Sequence, residues 1–278
     1  MSEFFSNRTL GIVTKHQKEA LIGPLFQEAF GWEYALLEVD TDQLGTFTGE
    51  IEREADPLTT ARKKVALVND DAHDLVIVSE GSFGPHPAVG FIAADDELLL
   101  LYDCKSKEEF IVRHITAETN FNGQEVSNAE ELHNFLVRVK FPEHAVIIRE
   151  SRAGKVVEKG IHSLEKVKSL SNLFFEKKSS VYIETDMRAM HNPMRQNAII
   201  ETCKKLIEKL RSACPECHHP GYDVSEVISG LPCMNCFYPT RSTLSYLYHC
   251  KKCDYTEEKK YPHGKSHEDP MYCDHCNP

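Results

Sequence analysis

Apolar residues fall along the chain in short runs whose spacing alternates between the period of a strand and the period of a helix. Leu10-Gly-Ile-Val-Thr14 reads as a buried strand leading into a helix over 19–30, with Leu21, Leu25 and Phe26 on one face and Gly31 as its stop. Tyr34 to Val39 is a second strand, followed by a polar loop over 40–56. Pro57 suits the first turn of a helix that Asp56 caps, and Leu75 to Ser79 is a third strand, taken to end at Glu80-Gly-Ser-Phe-Gly-Pro-His-Pro87. A hairpin is expected over 97–103 and 108–116. Helices are expected over 128–140, 163–175 and 197–210, with strands over 145–150 and 181–185. The alternation predicts an α/β domain over 1–211, a mixed sheet with flanking helices.

The tail follows another rule. Four Cys-x-x-Cys pairs, Cys214/Cys217, Cys233/Cys236, Cys250/Cys253 and Cys273/Cys276, lie in the last 65 residues. Eight thiolates in four knuckles are the ligand set for two tetrahedral four-cysteine sites, with zinc as the expected ion, in a small β-rich double zinc-ribbon domain over 212–278. The spacers 222–228 and 242–248 read as strands between knuckles. Three pairings of knuckles are possible. Consecutive pairing (214/217 with 233/236, 250/253 with 273/276) is preferred, and nesting of 233/236 with 250/253 comes close behind, because loop closure distinguishes them poorly. An all-cysteine set leaves no open position, so the sites are expected to be structural; His218, His219 and His275 are read as neighbours and not ligands.

Charge narrows the function classes. The 278-residue chain carries 43 Asp and Glu against 32 Lys and Arg, a net charge of −11. From Ser212 onward there are six basic and nine acidic residues, so phosphate neutralisation is poorly served and nucleic acid is not an expected partner. No apolar run is long enough for a membrane span, and the start of the sequence has no secretory pattern. Paired cysteines then point to metal in a reducing cytoplasm.

Several groupings carry candidate chemistry. Thr14, Lys15 and Lys18 sit between a strand and a helix, where free backbone N–H groups and lysine charge favour a phosphate. Glu80, with Gly81, Ser82 and His86, is placed at a strand end, where α/β proteins hold ligands. Glu50 and Lys64 add an acid and a base; Arg62 and Lys63 lie on the same helix as Lys64. Asp186, Arg188, His191 and Arg195 cluster after a later strand, and arginine forks suit phosphate or carboxylate recognition.

The runs Thr-Lys-His-Gln-Lys, Gly-Thr-Phe-Thr-Gly-Glu, Ser-Glu-Gly-Ser-Phe-Gly-Pro-His-Pro, Asp-Met-Arg-Ala and Cys-Asp-His-Cys-Asn-Pro resemble a bacterial family of unknown function over nearly the whole chain. Over about the first 190 residues, the order of motifs is also similar to the inosine/xanthosine triphosphate pyrophosphatases and Maf-like proteins. Thr14 and Lys18 match their phosphate loop, Ala61, Lys64 and Val65 their helix motif, Glu80-Gly81 their acidic–glycine step, and Asp186-Met-Arg188 their late basic motif. The phosphate-loop asparagine and the leading residue of the helix motif are missing, and a zinc tail is foreign to that group. The resemblance implies a pyrophosphatase-like fold and a Mg²⁺-dependent nucleotide or phosphate-ester hydrolase. Glu80 would hold the metal, helped by Glu50 or by Asp40 and Asp42, with Asp186 in the catalytic set and Lys15, Lys18 and Arg188 offsetting phosphate charge. The alternative is a non-catalytic module that binds a phosphorylated small molecule, with the zinc tail docking a partner or closing a homodimer.

Overall fold

Five strands form the first sheet of the protein, whose computed structural model describes residues 5–39, 56–68 and 72–278. They are β1 (Thr9–Val13), β2 (Glu33–Leu36), β3 (Leu75–Pro85), β4 (Ala93–Asp103) and β5 (Glu109–Thr116), in the order β2-β1-β3-β4-β5. β1 pairs in parallel with β2 and β3, while β3, β4 and β5 form antiparallel pairs, so the sheet is mixed, as the sequence pattern predicts. α1 (Glu19–Phe30) connects β1 to β2 and stops at Gly31, whose φ of 74° permits the left-handed cap. α2 (Pro57–Ala66) starts where Asp56 accepts hydrogen bonds from the backbone N–H groups of Leu58 and Thr59. Its Ala61 packs on Val13, Val76, Val78, Leu98 and Leu100, which share one face of the sheet by strand alternation. The polar loop over 40–55, with Asp40, Asp42 and Glu50, lies outside the described residues.

β3 corrects one expectation. It does not end at Ser79 but runs to Pro85 in unbroken register with β4, and a turn over 86–92 closes the hairpin. Glu80 and Gly81 are therefore in the interior of a strand and not at its end. The glycines and prolines that read as breakers are accommodated because Pro85 is the strand's last residue and Gly81 is needed there for close packing.

A second, antiparallel sheet follows. It consists of β6 (Gly123–Val126), β7 (Val146–Arg149), β8 (Val156–Ile161) and β9 (Val181–Thr185), in the order β6-β9-β7-β8. The expected single sheet of this region is thus two sheets; β6 and β8 are too polar to announce themselves. Asn128 caps α3 (Ala129–Arg138) and Ser163 caps α4 (Leu164–Phe175). Both helices bury their apolar stripes in a core with Val146, Ile148, Val181 and Ile183 around the fully buried Phe135. α5 (Pro193–Arg211) begins four residues before the expected start at Asn197.

Contacts divide the chain into two units, Asn7–Leu206 and Ile207–Pro278, the latter with Phe5 and Ser6. The second unit is an antiparallel sheet of β10 (Asp223–Ser229), β11 (Thr243–His249) and β12 (Thr256–Lys260) in that order. The cysteine knuckles sit at its ends. Among the described residues no helix is long and apolar enough to cross a membrane.

Phe135→Ala removes the central ring of the second core. It should cost about 3–5 kcal/mol, read as a lower urea midpoint at unchanged m-value.

Candidate functional site

The eight tail cysteines gather into two tetrads, Cys214/Cys217/Cys250/Cys253 and Cys233/Cys236/Cys273/Cys276, each with its four sulfurs within 4.8 Å of one another. Sulfur separations of 3.7 Å (Cys214–Cys253), 3.6 Å (Cys217–Cys250), 3.9 Å (Cys233–Cys276) and 3.6 Å (Cys236–Cys273) mark the closest approaches. A Zn–S bond of about 2.3 Å in a tetrahedron requires sulfurs about 3.8 Å apart, so both tetrads fit zinc. The knuckles repeat one geometry. In all four the backbone N–H of the residue after the second cysteine donates to the carbonyl of the first, and in the first three that residue (His218, Phe237 and Asp254) has a positive φ, of 58°, 59° and 58°.

This pairing is neither the consecutive nor the nested one. The reason is strand parity. Asp223 of β10 pairs with His249 of β11, so the knuckle before β10 meets the knuckle after β11 at one end of the sheet. Ser245 of β11 pairs with Lys260 of β12, which sends the chain after β12 back to the other end, where the second and fourth knuckles meet. An antiparallel three-stranded sheet alternates ends, and that alone forces the first knuckle onto the third and the second onto the fourth. His218, His219 and His275 belong to neither tetrad; His275 stacks on Tyr238 at 5.6 Å between ring centroids.

In the Asn7–Leu206 unit, four segments distant in sequence converge on a buried charged cluster. Glu97 of β4 is its hub. The Arg195 Nε donates to Glu97 Oε1 at 2.6 Å, and the Lys18 ammonium lies 3.4 Å from Glu97 Oε2 and donates to Ser79 Oγ at 3.0 Å. Arg195 also donates to the Met187 carbonyl at 2.5 Å, and its guanidinium lies 4.9 Å from the centre of the Phe83 ring. Lys18, Glu97 and Arg195 are all buried. Arg195 reaches this place because Asn192 caps α5, accepting from the Arg195 N–H at 3.1 Å, and Pro193 opens the helix. Gly81 lies opposite Glu97 in the β3–β4 register, and a Cβ there would collide with the Arg195 guanidinium and the Glu97 carboxylate. The glycine makes room for the protein's own ion pair.

Strand alternation separates the expected carboxylate from this cluster. Ser79, Gly81, Phe83, Asp95 and Glu97 share one face, while Glu80, Ser82 and Asp96 face the other way. Glu80 is paired with Lys64 of α2 at 2.5 Å on that second face. His86 is in the hairpin turn, where its Nδ1 accepts from the Ala88 N–H. Four extended residues lie between it and Gly81, a span of roughly 16 Å. Arg62 is held by Glu109.

The remaining predicted residues border the cluster. Asp186 is fully buried and grips Arg188 through Nε at 3.0 and 3.2 Å and Nη2 at 2.6 Å, while accepting from the backbone N–H of Gly160 and Arg188. Burial opposes ionisation of Asp186, but the Arg188 contacts outweigh it and hold its carboxyl below the usual range. Thr14 and Lys15 lie in the loop after β1, and the next two residues, His16 and Gln17, adopt φ of 65° and 61°, a costly conformation for such side chains. Burial, reinforced by Lys18, Arg195 and Arg188 and opposed by Asp186, pushes His16 down to about 4.

Asp95 and Glu97 were missed by sequence reasoning, and His16 entered it only within the Thr-Lys-His-Gln-Lys run. A strand running Ala93-Ala-Asp-Asp-Glu-Leu-Leu-Leu-Leu101 puts Asp95 and Glu97 on the face of buried Leu99 and Leu101, and that parity was the available signal. Asp95 is buried with neither carboxylate oxygen hydrogen-bonded. Burial, then repulsion from Glu97, raises its carboxyl to about 8 against the opposing pull of Arg195 and Lys18. Burial likewise lowers Lys18 to about 8, with Arg195 adding repulsion. An acid and a base whose proton affinities are driven together in one cluster is an arrangement found where proton transfer is needed.

A family model described as a domain of unknown function (DUF6671) matches residues 63–278, and the chain belongs to that family. Comparison with curated proteins finds no match. The matched range holds both cysteine tetrads, Glu97, Asp186 and Arg195, and begins beyond the Thr14–Lys18 loop.

Two outcomes test these geometries. A Cys214→Ser/Cys250→Ser protein should keep one zinc per chain by elemental analysis, and Cys214→Ser/Cys233→Ser should keep none; consecutive pairing demands the reverse for the second protein. For Asp95, the folded state holds its proton between about pH 4 and 8 while the unfolded state does not, so its contribution is present at low pH and lost as pH rises through about 8. Urea melts should therefore show Asp95→Asn gaining stability over wild type progressively across that window.

Proposed function

We propose that the Asn7–Leu206 unit hydrolyses a phosphate ester or anhydride of a small molecule, with nucleoside triphosphates the first class to test. The observation that carries this reading is the convergence of the β1–α1 loop, β3, β4 and the start of α5 on the cluster around Glu97. The buried layer of Lys18, Glu97 and Arg195 fixes the loop and α5. The half-exposed layer of Thr14, His16 and Arg188, with the exposed Lys15, is what a phosphate would meet. Arg188 and Lys15 would offset charge on the phosphoryl oxygens as water attacks phosphorus and the bond to the leaving oxygen breaks.

The Mg²⁺ ion implied by the pyrophosphatase resemblance does not fit the described donors. Glu80 is committed to Lys64 and Glu97 to Lys18 and Arg195, which leaves Asp95 as a single carboxylate beside two cations. The commitment of Lys18 and Arg195 to Glu97 also favours a second reading, in which the unit binds a phosphorylated metabolite without turnover. The two tetrads fit structural zinc, with all four positions taken by cysteine in each.

The test is release of phosphate or pyrophosphate from a panel of nucleoside triphosphates, deaminated nucleotides and sugar phosphates, with zinc-replete protein. Turnover that falls at least about 100-fold in Arg188→Ala supports the hydrolase. Binding of a panel member without turnover selects the second reading, and neither binding nor turnover sinks both.

A further inference from the structure

Two histidines beside Arg188 are left unused by the cluster around Glu97, and their hydrogen bonds determine where their protons sit. His162 Nδ1 lies 2.9 Å from the carbonyl oxygen of Pro142. A carbonyl only accepts, so this nitrogen carries the proton. In neutral His162 the lone pair is then on Nε2, which lies 3.3 Å from His191 Nδ1. That contact is a hydrogen bond only if His191 Nδ1 is the donor. Neutral His191 is thereby left with its own lone pair on Nε2.

The position of that lone pair is informative. A Cβ at Gly160 would lie 2.9 Å from His191 Nε2 and 3.2 Å from Arg188 Nη2. The space left by the missing side chain therefore borders a proton acceptor and a guanidinium at once. Gly160 also holds φ at 67°, and its N–H donates to Asp186 at 3.0 Å, the carboxylate that orients Arg188. A backbone carbonyl, an imidazole and a second imidazole thus form a chain that ends in an oriented base next to the Arg188 guanidinium.

We propose that His191 is the general base of this centre and that His162 is the positioning residue that holds it in the Nδ1–H tautomer. The proposal rests on the hydrolase reading. His191 Nε2 takes a proton from a water whose oxygen forms the new bond to phosphorus. The bond from phosphorus to the leaving oxygen breaks with its electron pair going to that oxygen, and the imidazolium then returns the proton to the leaving group or to solvent. Arg188 holds the phosphoryl oxygens. Burial, together with Arg188 and His162 and against the pull of Asp186, lowers the proton affinity of His191, so the neutral form the step needs is present at neutral pH.

Long-range proton–nitrogen NMR of the imidazoles tests the chain directly, with His162→Phe and His191→Gln used to assign the rings. Protons on Nδ1 of both rings are expected, against the Nε2–H form that His191 should adopt once His162→Phe removes its acceptor. Kinetics test the role. On whichever substrate of the panel turns over, His191→Gln should lower kcat about 100-fold or more with little change in KM, and circular dichroism should show it folded. A proton on His191 Nε2 in the wild-type protein overturns the proposal with or without a substrate. Nδ1–H on both rings with an unchanged kcat in His191→Gln overturns the base role while the hydrolase stands. If no substrate turns over, hydrolase and base role fall together, and the NMR result alone then decides the tautomer chain.

Discussion

The Glu97 carboxylate is the interaction on which the Asn7–Leu206 unit depends. It is held by a guanidinium from α5 and an ammonium from the β1–α1 loop, all three groups away from water. Removing charges from water costs several kcal/mol each, and only good geometry with every lone pair used recovers that cost. Other features follow from this constraint. Residue 81 has no side chain because the pair occupies that space. Phe83 lies against the guanidinium, and Asn192 with Pro193 sets where α5 begins. Loss of one partner would leave the others charged and buried, so these positions are tied to one another more tightly than any is to solvent.

The zinc unit obeys a different constraint. Its sheet is short and its strands are mostly half-exposed or exposed, with a small cluster of Cys214, Tyr222 and Cys250 with Tyr248 and Tyr255 against it. A fold that buries so little apolar area needs covalent or metal ties. The two tetrads supply them, one at each end of the same sheet.

Much of the fold was legible because period and capping agreed. Asp56-Pro57 announced α2, Gly31 the end of α1, and the apolar alternation marked β1, β7 and β9. Misreadings arose where local signals opposed tertiary structure. Gly81 and Pro85 looked like an end to β3, yet an antiparallel partner carried the strand through them. β6 and β8 lacked apolar runs because only one or two residues of each face a core. At the candidate site, residue types were legible and their faces were not. Glu80 and Gly81 are adjacent in sequence but lie on opposite faces of the sheet; Asp95 fell outside the expected strand, which began four residues after Ala93, and Glu97, its first residue, carried no signal of its face. The knuckle pairing was recoverable once strands were placed between knuckles, since antiparallel strands must alternate ends; loop length was the wrong quantity to weigh.

Crossed pairing has a consequence for how the tail acquires its metal. The knuckle at 233/236 lies inside the loop closed by the first tetrad, and the knuckle at 250/253 lies inside the loop closed by the second. Whichever ion arrives first therefore restrains one knuckle of the other tetrad and lowers the entropy still to be lost in closing it. Two separate ribbons in tandem would fill independently. Here the first ion helps the second only by that small entropy, so loading and chelation should be weakly cooperative.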